Sequence, residues 1–229
     1  MKTILFFYAL ECLALGTGIY CYRKTRSKPT LYLVFFLAIT VFVETVGIYP
    51  YFVSPEGPLS FLQGTPWELN YWWYNLYHVF SYAFFITFFK YFIASRNQVK
   101  LITYLTYFFV IASSMYLFFF DSFFVAYSPF TIILGTFLIF LSISFYFLEL
   151  LNSDQVLRVF YVLPFYISVG ALIFHLCTAP LFIYSIYYRE SIDPEFVVLY
   201  RRVIFGANLI MYSIFITGFL ICARNRKHS

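Results

Sequence analysis

A chain of 229 residues is long enough for one or two soluble domains, but 62% hydrophobic, 26% aromatic and only 11% charged residues exclude that class. The composition is that of an integral membrane protein. At roughly 20 apolar residues per crossing, the length allows about eight or nine spans at most and leaves no room for a separate soluble domain.

The first apolar segment covers residues 4–22. Lys2 precedes it, but the basic run Arg23, Lys24, Arg26, Lys28 follows it and Glu11 interrupts it. That order is the reverse of a secretory signal, so the segment reads as an uncleaved first helix. The second segment, 31–50, leads into a connection from Pro50 to Asn70 that carries four prolines and Trp67, with Trp72 and Trp73 just beyond. These aromatics fit an interfacial belt, and a lid over a pocket is the sharper alternative.

The third segment is 71–94, followed by ASRNQVK, and the fourth is 101–120, followed by a turn around Asp121. The fifth is 129–151, the sixth 161–187 and the seventh 196–223, joined by NSDQVLR and YYRESIDPE. Asp193, Pro194 and Glu195 supply an N-cap, a first-turn proline and a dipole-matched acid for the last helix. The expected fold is all-α: a polytopic bundle of seven transmembrane helices forming one domain over residues 1–229. No internal duplication is visible, since Pro164 and Pro180 have no counterparts in the first or second segment.

Seven crossings put the termini on opposite sides, and the cations assign them. Arg23, Lys24, Arg26, Lys28, Lys90, Arg96, Lys100, Arg158, Arg224, Arg226 and Lys227 fall on one side, against Lys2, Arg189, Arg201 and Arg202 on the other. The richer side is cytoplasmic, so the N-terminus is external and the C-terminus cytoplasmic. The bilayer itself is the first partner, and a topology signal explains the basic face without a further role.

Ionisable groups in hydrocarbon cost ~3 kcal/mol or more each, so they face the bundle interior, a partner or water. Glu11, Glu44, Asn75, His78, His175 and Asn208 are the polar residues placed there, and the depths of Glu44, Asn75, His78 and His175 converge on the outer half. Thr40, Glu44 and Gly47 form one helical stripe; Asn75, His78 and Tyr82 form another. Ser168, His175 and Thr178 form a third, and Arg201, Asn208 and Tyr212 a fourth. Together they predict an outward-facing polar pocket with Glu44, Asn75, His78, His175, Asn208 and Arg201 as ligand-binding residues. Interhelical hydrogen bonding is the plainer role, favoured for Asn75 and Asn208. Glu11 reads as nearer the surface, and Lys90 and Glu149 as snorkelling near the cytoplasmic ends. Cys12, Cys21, Cys177 and Cys222 show no metal or redox spacing and read as packing residues.

Val43 to Gly47 (VETVG), the Tyr74-Asn75 pair, and Asn208, Tyr212 and Gly218-Phe219 before a basic tail carry a resemblance. The chain resembles a group of small bacterial seven-helix integral membrane proteins with no assigned reaction. That resemblance implies a stand-alone protein of the bacterial inner membrane. Phe80-Ser81-Tyr82 stands where the group carries an acidic residue.

A retinal protein needs a lysine in its last helix, and residues 196–223 contain none. Seven-helix zinc amide hydrolases use three histidines, whereas this chain offers two in the membrane; Glu44 would be the third ligand beside His78 and His175 in a His/His/Glu site, although no two of these residues show a local metal-binding spacing. No catalytic set is assigned, no cofactor is expected, and an enzyme is the less favoured class. No Walker loop or GxGxxG is present, and nucleic acid is excluded as a partner. The favoured function is a receptor-like membrane interaction module that signals through a membrane or cytoplasmic partner. A small-molecule transporter is the alternative, and a metal-dependent hydrolase the third reading.

Overall fold

The computed structural model describes residues 2–119, 123–184 and 194–225. Seven α-helices of 20 residues or more lie within them: α1 (Lys2–Thr25), α2 (Lys28–Gly47), α3 (Tyr71–Lys90), α4 (Arg96–Phe119), α5 (Pro129–Leu151), α6 (Leu163–Tyr184) and α7 (Pro194–Asn225). Short 3-10 turns occupy Tyr49–Phe52, Ser60–Leu62 and Asp154–Tyr161, and the described residues contain no strand. The turn around Asp121 and the predicted cap at Asp193 lie outside the described residues.

Five helices, α2, α4, α5, α6 and α7, are long and apolar enough to cross a membrane. They make the chain an integral membrane protein by length and composition. The other two carry the polar residues Glu11 (α1) and Asn75 and His78 (α3). The exterior agrees with that setting: Phe35, Phe42, Phe108, Phe118, Phe137 and Leu176 are all exposed large apolar side chains on helix surfaces. A bundle whose outside is apolar while its inside holds carboxyl, imidazole and amide groups is arranged for lipid, not water.

Local sequence sets the helix ends. α2 starts at the extended Ser27 with Pro29 in its first turn, and α5 starts at Ser128, whose hydroxyl accepts from Thr131 N at 3.2 Å, with Pro129 next. Both prolines stand where no intrahelical donor is needed. α2 stops at Gly47 rather than 50, because Pro50 follows and the chain turns into the 3-10 segment. Between α1 and α2, Arg26 takes a left-handed conformation (φ 52°) and its N–H reaches Tyr22 O at 2.8 Å. That is a left-handed cap, with arginine where glycine is usual.

The helices form a ring. Its neighbours run α1, α2, α3, α5, α6, α7 and back to α1, while α4 packs on the outside against α3 and α5. Successive ring helices are antiparallel except at two seams. Along α1 and α7, Glu11 meets Tyr212 and Gly18 meets Phe219; along α3 and α5, Tyr82 meets Gly135 and Phe89 meets Tyr146, so both pairs run parallel. The α6 and α7 contact is reciprocal: a Cβ at Gly170 would strike Phe215, and one at Gly218 would strike Tyr166. Each helix lends a glycine to the other's aromatic ring, which brings the backbones close in the manner of small-residue membrane packing.

This connectivity gives the bundle two ends. One carries the 48–70 connection, here termed the loop end. The other gathers Arg23, Lys24, Arg26, Lys28, Lys90, Arg96, Arg158 and Arg224 at helix ends and turns, with Lys100 one turn further along α4.

A candidate ligand cavity inside the helix ring

The ring encloses a cavity of about 390 Å³ towards the loop end, lined by α1, α2, α3, α6 and α7 together with Tyr127 and the start of the 48–70 connection. Its size falls within the ~300–1,000 Å³ typical of small-molecule sites. The predicted stripe Thr40, Glu44 and Gly47 faces it completely. His78 and Tyr82 from α3, His175 and Thr178 from α6, and Asn208 and Tyr212 from α7 also line it.

Glu44 receives the Tyr74 hydroxyl on Oε2 at 2.8 Å, and its backbone oxygen receives the Tyr8 hydroxyl at 2.6 Å. Gly47 permits this arrangement, because a Cβ there would fall on the Tyr74 hydroxyl. Thr40 and Tyr77 share a hydroxyl contact of 2.7 Å. Both imidazoles pack against Tyr82, with ring centroids 6.3 Å (His78) and 4.9 Å (His175) away. His175 is also held edge-on by Phe85 and Phe174, and His78 by Phe182. Rings on several sides fix both imidazoles without using their nitrogens. His78 Nδ1 and His175 Nε2 are buried and have no hydrogen-bond partner in the protein.

Glu11 corrects the expectation that it lies near the surface. It is buried at 6% exposure, lines the cavity, and takes the Tyr212 hydroxyl on Oε1 at 3.3 Å, while Oε2 has no partner. Depth along one helix did not reveal this, because α7 closes over that face of α1. The tyrosines were also missed: Tyr8, Tyr74, Tyr77, Tyr127 and Tyr200 all line the cavity. Their hydroxyl-bearing rings on otherwise apolar helices were the available signal.

Two predicted ligand-binding residues stand elsewhere. Asn75 does not line the cavity; it donates to Phe123 O (3.0 Å) and Ala126 O (2.9 Å) and accepts from Ser128 N (3.0 Å). Both its amide hydrogens and its oxygen are therefore engaged in holding the connection that enters α5. Arg201 is exposed on α7 and does not line the cavity either, so the fourth stripe splits, with Asn208 and Tyr212 inside. Asn208 bonds Ile204 O of its own helix at 3.0 Å. Ser168 is buried but bonds Phe165 O within α6. Lys90, expected to snorkel, donates to Thr103 on α4 at 3.2 Å.

Among the described residues no three His, Cys, Asp or Glu side chains converge as a metal site requires, so the Glu44, His78 and His175 set is not assembled. Both histidines instead pack against the Tyr82 ring.

The 48–70 connection roofs the loop end. Tyr51 and Asn70 line the cavity, and Tyr51 is also widely exposed, which places it at the mouth. Tyr49 ties the connection together: its hydroxyl accepts from Trp72 Nε1 (2.9 Å) and lies 2.7 Å from both Trp67 O and Leu69 O. Asn70 Nδ2 reaches Gly47 O at 2.6 Å, and Trp67 meets Phe124 beyond α4. Trp67 and Trp72 thus act as struts of the roof.

In comparisons with known proteins, the chain matches no family model, no curated protein and no solved structure.

Proposed function

We propose a receptor-like membrane protein of seven crossings that holds a small ligand in the ring cavity and passes its occupancy to a partner at the basic end. One observation carries this reading: three buried polar atoms without protein partners, Glu11 Oε2, His78 Nδ1 and His175 Nε2, belong to residues lining one cavity. Leaving such atoms unpaired costs roughly 1–3 kcal/mol each, and the cost is hard to rationalise in a bilayer unless the groups are used. The concentration of cations at one end supports a cytoplasmic assignment there, with the N-terminus, the roof and the cavity mouth external. The setting proposed is a bacterial inner membrane, in keeping with the resemblance to small bacterial seven-helix proteins.

The test is a screen of small polar and lipid-derived compounds for thermal stabilisation of the purified full chain. A ligand present at a hundred times its dissociation constant stabilises by about 2.7 kcal/mol. The expected outcome is stabilisation of the wild type that is lost in Glu44→Gln and His78→Gln, both melting near the wild-type temperature. Compounds that act equally on wild type and variants would refute the site. Uptake of the same compound into proteoliposomes would reassign the protein as a transporter. Orientation is checked with Glu56→Cys and Lys28→Cys, both at exposed positions, in a background free of the native cysteines. An impermeant maleimide should label position 56 and not 28 in intact cells.

A further inference from the structure

The cavity's charge and walls identify a ligand class, an inference that rests on the ligand-binding reading above. Its lining contains two carboxyl groups, Glu11 and Glu44, and among the described residues no lysine or arginine. Neither acid is matched by a cation within the cavity; each is met by a tyrosine hydroxyl, Tyr212 on Glu11 and Tyr74 on Glu44. A hydroxyl donor satisfies one oxygen and leaves the charge question open. Glu11 Oε2 is the acceptor left over, on a side chain more than nine-tenths buried. His175, at 5% exposure, adds an unpartnered nitrogen in the same cavity.

An anionic ligand has no guanidinium or ammonium to meet and two carboxyls to avoid. A bare metal ion lacks a convergent ligand set. A cation bearing N–H donors answers both acids at once, through charge-assisted hydrogen bonds. The walls define the rest of the molecule. Phe36 and Phe85 meet edge to face at 5.0 Å, and Phe174, Phe182 and Phe215 continue an aromatic lining far larger than an ammonium group needs. Such faces suit both an apolar body and a cation placed over a ring. We infer that the cavity binds a protonated organic amine with an apolar or aromatic body, its N–H groups donated to Glu11 Oε2 and Glu44.

The experiment uses the purified full chain and four matched probes: phenethylamine, its trimethylammonium analogue, neutral 2-phenylethanol and anionic 3-phenylpropanoate. Thermal stabilisation is titrated for each. Phenethylamine is expected to bind about tenfold or more tightly than any of the other three, the trimethyl analogue failing because it has no N–H for Glu11 Oε2. Glu11→Gln should weaken phenethylamine by about tenfold or more while leaving 2-phenylethanol unchanged. If Glu11→Gln does not fold, Glu44→Gln carries the same comparison. A lipid source for the ammonium is separated by repeating the titration in phosphatidylcholine nanodiscs with and without phosphatidylethanolamine. Competition by the latter assigns the site to a lipid headgroup, and its absence to a free amine. Phenethylamine binding no tighter than the neutral or anionic probe, or as tightly to both glutamine variants as to the wild type, overturns the amine assignment. If other compounds from the broader screen still bind through Glu44 and His78, the ligand-cavity reading survives that result; if nothing of any charge binds, both fall.

Discussion

Tyr212 donates its hydroxyl to Glu11 across 201 positions of sequence, and the same offset joins Gly18 to Phe219 and Cys21 to Cys222. α1 and α7 therefore lie parallel and in register, with contacts spaced seven and then three residues apart, as along a coiled-coil seam. This seam closes the ring and seals one wall of the cavity.

The Glu11 and Tyr212 contact is expected to couple the two helices energetically. Tyr212→Phe should destabilise the chain by about 1–2 kcal/mol, since it leaves a second buried carboxyl oxygen without a donor. In the double variant Glu11→Gln/Tyr212→Phe the losses should fall short of additivity by about 0.5–1 kcal/mol. Equilibrium unfolding in mixed detergent micelles measures all four corners of the cycle, and strict additivity would dissolve the coupling.

Further along the same seam, the thiols of Cys21 and Cys222 interact directly. Copper-phenanthroline oxidation should link these two cysteines within one chain, detected as a single disulfide-bonded peptide pair by mass spectrometry. Cys12 and Cys177, both exposed, should appear unlinked to either. Failure of the pair to cross-link while Cys12 reacts freely with maleimide would contradict the register of α1 against α7.

Asn75 holds three backbone groups of the 123–128 connection. Asn75→Ala should cost about 2–4 kcal/mol, because two carbonyls and one N–H lose their partner together. Asn75→Asp should cost nearly as much, since it keeps an acceptor for Ser128 and loses both donors. Hydrogen exchange offers a local check: amides around 128–131, at the start of α5, should be deprotected more than those of α7. Uniform deprotection would point to general unfolding instead.

The glycines divide sharply. A Cβ at Gly135 would land on the Tyr82 ring, which packs against both histidines, whereas Gly16 and Gly206 have nothing within 4 Å. Gly135→Ala is expected to cost about 1–3 kcal/mol by overpacking, and Gly16→Ala to be neutral or to stabilise by up to ~1 kcal/mol through helix propensity. Thermal unfolding of the two variants side by side decides the matter, and equal effects would refute the packing at Gly135.

Helix placement was legible because apolar runs are bounded by charges and prolines; the predicted segment 129–151 coincides with α5. The stripe Thr40, Glu44, Gly47 was legible because helical spacing alone puts those side chains on one face. What could not be read was which faces meet. Glu11 looked superficial until α7 covered it, and Asn75 shared a stripe with His78 yet turns to backbone atoms about 50 positions away, which carry no sequence signature. The Cys21 and Cys222 pair was invisible for the same reason: spacing within a helix is local, whereas the register between α1 and α7 is set by every contact along the seam.

No residue of α4 lines the cavity, yet α4 sets the direction of the helices that follow it. Six helices joined neighbour to neighbour around a ring would bring the last residue back to the end where the first began. Placing α4 outside, as a crossover between α3 and α5, adds one traverse, which makes α3 and α5 parallel and sends α7 in the same sense as α1. Removing it would not trim an ornament from the surface; it would invert α5, α6 and α7 relative to α1, α2 and α3, taking His175 and Tyr212 away from Glu11 and Tyr82. A helix outside the ring thus determines whether the two halves of the site face each other at all.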